Sequence, residues 1–391
     1  MRSPAVYQST LARGQAADIG FASRYALATQ QGDPLADAVM LALRGVPPDR
    51  QQAWLNAGME GDTETLADAP EALTAFFAEA ERQPDWWDPT LATPGCRAMT
   101  GQAELFLAGF VGGTLIEGFA SMIARSFALT GRIVDQGVRR LRQNNRHLVE
   151  IFLPGGLGRQ GEGLKLSVRI RLQHARVREL IRLSGEWDEA VYGVPLSAAH
   201  VALATAAFSG TLLKHATALG ARMDAAETRS FMMIWRYSGH LMGVPPDLQC
   251  ATYDEARRFH ELAMLCEPEP DIDNIILANA LINSAPLLLG KDDPGQRRAL
   301  SRHIYRVSRC LIGDPLADKL NFPPGRGLLT LELLQWRMGL DRALRRLFPA
   351  FDRRRRLSQF TQLMELSFYD SGPINYRMAG QLHAEKDRPA P

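Results

Sequence analysis

Residues 101–132, GQAELFLAGFVGGTLIEGFASMIARSFALTGR, constrain this chain more than any other stretch. Apolar side chains fall on every side of a helix here, so the segment has no face to offer to water. A helix of that kind belongs at the centre of a large domain, wrapped by other helices. Gly109, Gly112, Gly113 and Gly118 permit close approach of a neighbouring helix or of a flat ligand. Glu117 lies inside the run. A buried carboxylate is costly unless partnered, which leaves two readings: an ion pair with a core arginine, or a proton-handling group beside a pocket.

The chain is long enough to enclose such a helix. Of its 391 residues 46% are hydrophobic, sufficient for one large domain or two ordinary ones. Neither sustained period-two alternation nor a repeat of fixed length occurs, so strands are not expected. Helical patterning recurs instead. It opens after Asp33-Pro34, an N-cap followed by proline in the first turn, and returns at 133–152, 167–183, 197–219, 225–243, 251–266, 270–289, 293–312, 327–347 and 356–368. The expectation is an all-α protein, a single large helical domain over residues 34–370 with peripheral N- and C-terminal helices. Residues 1–33, polar and rich in Gly and Ala, read as a loosely ordered arm, and 371–391 as a polar tail.

Charge and cysteine usage narrow the function classes. Lys+Arg 45 against Asp+Glu 43 leaves +2, which makes no general case for nucleic acid or an anionic membrane, although arginines cluster at 139–146, 169–178 and 353–356. The four cysteines are widely spaced without a CxxC pair, so neither a zinc site nor a disulfide framework is expected. With no apolar leader at the start and no membrane-length apolar run, a cytoplasmic protein without integral membrane segments is expected. The glycine-rich loop at 154–163, PGGLGRQGEG, lacks the GxxxxGK[ST] pattern and a preceding strand, which excludes a P-loop; it reads as a flexible connector. Trp86 and Trp87, in QPDWWDPTLATP, read as anchors of a surface segment.

The connector leads into SVRIRLQHARVRELIRL at 167–183. Ile170, Val177 and Ile181 share a face with His174, while Arg169, Arg171, Arg176 and Arg178 flank it. An imidazole on an apolar stripe, hemmed by guanidinium forks, suits the axial ligand of a flat, anionic, mostly apolar cofactor. Haem has those properties: iron takes imidazole, the ring takes Ile170 and Val177, and the propionates take arginine. A core histidine satisfied by hydrogen bonds fits the same pattern.

Taken in order, TGR at 130–132, RRLRQNNRHLVEIFLPGGL at 139–157, VRIRLQHARVR at 168–178, YGVPLS at 192–197 and WRYSGHLMGV at 235–244 resemble the rubber oxygenase (latex-clearing protein) family and its wider MpaB-like relatives. The resemblance spans roughly residues 85–340 and is most specific in HARVR and WRYSG. It implies a globin-like core around one haem b, and an oxygenase that uses dioxygen to cleave a carbon–carbon double bond of an apolar, isoprenoid substrate. It implies His174 as the axial metal ligand, Arg140 near the haem as a catalytic and cofactor-binding residue, and Arg171 and Arg178 as its cationic flank. Two departures bear on the chemistry. The family's Lys-Thr pair is replaced by Gln143 and Asn144, which leaves Asn144 as a hydrogen-bond donor on the distal side. The family's distal acid falls near Ala124, and Glu117, two turns earlier on the expected helix, is its candidate substitute. These departures keep two other readings open: a haem-binding sensor or carrier without turnover, and a helical protein that has lost haem.

Overall fold

Asp33 begins the core as its sequence signal says. Its carboxylate accepts the backbone N–H of Ala36, and Pro34 fills the first turn of the helix Pro34–Ala42. The computed structural model describes residues 3–130, 132–290, 293–325 and 330–348, with scattered positions from 350 to 364. Of residues 132–140, 330, 345 and 346 it describes the backbone alone.

The helices that frame the molecule are α1 (Leu11–Ala17), α2 (Ile19–Ala28), α3 (Pro34–Ala42), α4 (Pro48–Glu60), α5 (Glu71–Ala80) and α6 (Thr93–Thr100). Then come α7 (Ala103–Phe119), α8 (Ile123–Thr130), α9 (Arg132–Phe152) and α10 (Glu162–Ser184). The helix α11 is Ala198–Ala206 continued through a π turn, Ala207–Thr211, into Leu212–Ala218. After it stand α12 (Ala225–Leu241), α13 (Tyr253–Cys266), α14 (Ile272–Leu288), α15 (Pro294–Ile312) and α16 (Thr330–Leu347). Among the described residues there is no strand, and the architecture is all-α.

Three expectations are corrected. Residues 101–132 do not form one helix: α7 carries a π turn at Phe110–Thr114, and the chain bends by 96° between α7 and α8. The bend holds because its freed backbone groups find partners. Asn274 Nδ2 donates to the carbonyls of Phe119 (2.6 Å) and Ser121 (3.0 Å), and the Met122 N–H donates to Glu267 (2.7 Å). The N-terminal arm is likewise not loosely ordered. It forms α1 and α2, and Tyr7 and Tyr25 are fully buried. Tyr7 Oη lies 2.8 Å from His200 Nε2, and Tyr25 donates to Glu267 at 2.7 Å. Burial of two aromatic rings with satisfied hydroxyls outweighs the low apolar content of the arm. The connector at 154–163 is compact rather than loose: Gly156 sits so close to Glu150 that a Cβ would meet its carbonyl oxygen at 1.9 Å. The expected helix at 356–368 and the tail at 371–391 lie largely or wholly outside the described residues.

Two apolar clusters make the core. The larger gathers Phe76, Phe106, Phe110, Phe152, Phe231, Trp235 and Tyr237. The second holds Tyr7, Phe21, Tyr25, Ile181, Val201 and Phe259. α10 lies between them: Val168, Leu172 and Ala175 enter the first, while Val177 and Ile181, with Ile170 beside them, enter the second. A helix committed on two sides has little freedom to shift, which fixes the residues on its remaining stripe. Trp86 and Trp87 act as anchors, as their segment suggested: Trp87 stacks on Tyr237 at 4.1 Å, and the Arg236 guanidinium lies 3.9 Å above Trp86.

Candidate functional site

The remaining stripe of α10 carries Arg171, His174 and Arg178, one turn or so apart. All three line one cavity, together with Gly32, Asp33, Ala198, Val201, Met242 and Gly243. The cavity has about 10 Å³ of free room, that of a single water. His174 is half-buried at its edge.

The two arginines are not held out toward a cofactor. Arg171 forks onto Asp33 (Nε–Oδ2 2.5 Å, Nη2–Oδ1 3.1 Å) and reaches Glu79 with Nη1 at 2.7 Å. Arg178 donates to Asp37 and to the carbonyls of Pro195 (3.0 Å) and Leu196 (2.9 Å). Both guanidinium groups are buried, and burial works against their charge. For Arg171 the carboxylates of Asp33 and Glu79 more than offset it; for Arg178 those of Asp37 and Asp33 do not. The sequence suggested propionate contacts for these residues. The structure gives them the N-terminal carboxylates and a strained turn instead, since Leu196 sits at φ 47°. Gly243 completes the fit. It has φ 82°, and a Cβ on it would lie 2.4 Å from Asp33 Oδ2 and 2.7 Å from Arg171 Nε. That clash accounts for a glycine in the WRYSGHLMGV stretch.

None of the other expected site residues whose side chains are described lines this cavity. Asn144 is half-buried on α9. The Arg140 side chain lies outside the described residues. Ile170 and Val177 pack into the second core cluster. Glu117 is buried on α7, on the far side of the 96° bend from Ala124, so it is not on the helix that carries the family's acid position.

Glu117 has partners that sequence reasoning missed. Nε2 of His215, on α11, lies 3.1 Å from Oε1, and Nε2 of His260, on α13, lies 3.4 Å from Oε2. Lys214 Nζ stands 3.8 Å away. Burial alone would raise the Glu117 pKa, but His215, then His260 and Lys214, outweigh it and hold the carboxyl at about 2. Burial pushes the His260 imidazole down to about 4, against the pull of Glu117. A carboxyl held at about 2 has no proton to give near neutrality, so Glu117 cannot stand in for the family's distal acid as a proton donor. Both flanking helices carry π turns, Phe110–Thr114 before Glu117 and Ala207–Thr211 before His215. No sequence spacing joins the three residues, because they come from three separate helices. A third buried imidazole, His147, contacts Ser167 Oγ at 2.9 Å, and burial lowers it to about 4.

In donor chemistry one group at the first site fits a haem, the His174 imidazole, which is able to ligate iron; Arg171 and Arg178 are taken by carboxylates and carbonyls, and Ile170 and Val177 belong to the second core cluster. In size, the cavity bordered by Arg171, His174 and Arg178 takes one water, so a ring seated there would have to part α10 from α3 and α11.

Comparison with known proteins gives concordant results. A family model described as ER-bound oxygenase mpaB/B′/rubber oxygenase, catalytic domain, matches residues 97–346. The rubber oxygenase of Streptomyces sp. (strain K30) is 23% identical over 299 residues, covering 74% of this chain and 70% of that protein. A solved structure of latex clearing protein in the closed state superposes with a TM-score of 0.67 at 20% identity, over 90% of this chain and 94% of the other. At that identity the superposition speaks for the fold.

Proposed function

The chain belongs to the family of the ER-bound oxygenase mpaB/B′ and the rubber oxygenase, and on that premise we propose that it is a haem b-dependent oxygenase acting with dioxygen on a small apolar, isoprenoid alkene. The observation that carries the reading is the position of His174, inside the matched region and at the edge of a cavity on the one stripe of α10 not committed to the core. His174 would hold the iron. When bound, haem supplies the coordination site and the electrons that dioxygen chemistry needs.

The rest falls to the chain's own groups. Arg171 and Arg178 tie α10 to the start of α3 and so orient His174; they are positioning residues. Ala198, Val201 and Met242 are the apolar side chains that line the cavity beside these charged groups. Asn144 can donate a hydrogen bond from its amide to a polar group on the substrate or oxidant. Gln143 and Asn144, in place of the Lys-Thr pair, favour a second reading, a haem carrier or sensor without turnover, and a cavity with room for one water favours a third, a helical protein that has lost haem.

Oxygen uptake by the haem-loaded chain separates the first two. With an acyclic isoprenoid alkene the oxygenase reading expects uptake above that of free haem, and aldehyde or ketone products by mass spectrometry. Uptake no greater than that of free haem, in a protein that has retained its haem, leaves the carrier.

A further inference from the structure

The helix α16 has two apolar sides. One packs inward: Leu331, Leu334 and Met338 are half-buried, Gln335 donates to the Ala218 carbonyl at 2.8 Å and Arg342 to that of Gly220 at 2.5 Å. The opposite side is turned out. Leu333 is 60% exposed, Trp336 70%, Leu340 48%, Leu344 36% and Leu347 71%, with Phe348 beyond at 57%. Their spacing of three, four, four and three residues keeps them on one continuous stripe. A stripe of large apolar side chains left in water marks an interaction surface. Arg337 is exposed at its edge, and Arg353 and Arg354 are exposed beyond its end. Residues 330–356 contain eight arginines and three acids, a local charge of +5 in a chain whose total is +2.

We propose that the outer face of α16 seats on an anionic phospholipid surface. Leucine and tryptophan on one side of a helix with arginine at its margins is the pattern of a helix lying in the plane of a membrane interface. The charge decides against the other obvious occupant, a second copy of this chain. A two-fold interface sets each patch against itself, so the exposed Arg337, Arg353 and Arg354 of one copy would meet those of the other. A surface of acidic headgroups neutralises that charge. The near-neutral total of the chain conceals this, because the excess is confined to one segment. The inference is independent of haem and of oxygenase activity.

Cosedimentation of the full chain with vesicles tests it. We expect binding to phosphatidylcholine vesicles containing phosphatidylserine, weakened roughly tenfold or more when phosphatidylserine is omitted, when salt is raised, or in the double variant Trp336→Glu, Leu340→Glu. Both replaced side chains are exposed, so the variant should keep the wild-type circular dichroism and elution volume, which are measured alongside. Three outcomes would overturn the proposal: no binding to the acidic vesicles, binding that the double variant leaves unchanged, or a dimer dispersed by that variant in a chain that ignores vesicles.

Discussion

The stripe of α10 around His174 and the cluster around Glu117 both put imidazole and charge inside an all-α core, yet they are built on opposite terms. Around Glu117 the polar groups face one another: one carboxylate lies between two buried imidazoles drawn from α11 and α13. Around His174 the charges face away. Arg171 and Arg178 turn to Asp33, Glu79 and Asp37, and the imidazole is left half-buried at the edge of a cavity. The first arrangement is enclosed in the core. The second leaves a ligating group at a boundary between elements, where an external ligand can be received. A buried acid inside an apolar helix was the more eye-catching signal in the sequence, but it is the less available group in the fold.

Removal of the carboxylate should give the largest effect. Glu117→Ala removes the carboxylate that the two buried imidazoles face and should cost about 2–4 kcal/mol of unfolding free energy, read by urea denaturation. A loss below about 1 kcal/mol would mean the cluster is not the closed unit described.

Acidification tests the same region. His260 is depressed to about 4 in the folded chain, against an ordinary value of 6.5, so the unfolded chain takes up its proton first. Stability that is complete above pH 6.5 should therefore fall on the order of 2–3 kcal/mol as pH drops toward 4. His147, also near 4, adds to the same limb. Glu117 acts lower: its depressed pKa contributes stability present above 4.5 and lost as pH falls through about 2. His147→Asn should flatten the upper limb, and an unchanged limb would remove His147 from the account.

The His174 region should respond more mildly. Gly243→Ala places a Cβ against the Asp33–Arg171 pair at a positive φ, and should cost about 1–3 kcal/mol. An effect of that size in thermal melts would support the pair as the clamp on α10, and a neutral substitution would not.

These contrasts also mark what could be read from the sequence. The helices α9 and α10, the Asp33-Pro34 start and the His174 stripe follow from local periodicity and capping, which need only neighbouring residues. The π turns, the 96° bend and the burial of Tyr7 and Tyr25 do not, because the groups that stabilise them come from elsewhere in the chain. Asn274 caps the bend, Glu267 serves both the bend and Tyr25, and His200 receives Tyr7. The Glu117 cluster was hidden for the same reason, and Arg171 and Arg178 were legible as cations flanking His174 but not as partners of the N-terminal carboxylates. The outward face of α16 was masked by a charge count taken over the whole chain.

The central claim is that His174, and not the Glu117 cluster, is the group that receives a cofactor. It is tested most directly by the absorption spectrum of the purified chain after haem is supplied, compared between wild type and His174→Ala. His174 is half-buried at the edge of its cavity, so its loss should leave the fold intact. The wild type should show a Soret band at near one haem per chain, and His174→Ala should lose that band while keeping the wild-type circular dichroism. A wild type that stays colourless, or a His174→Ala variant with an unchanged spectrum, would contradict the account.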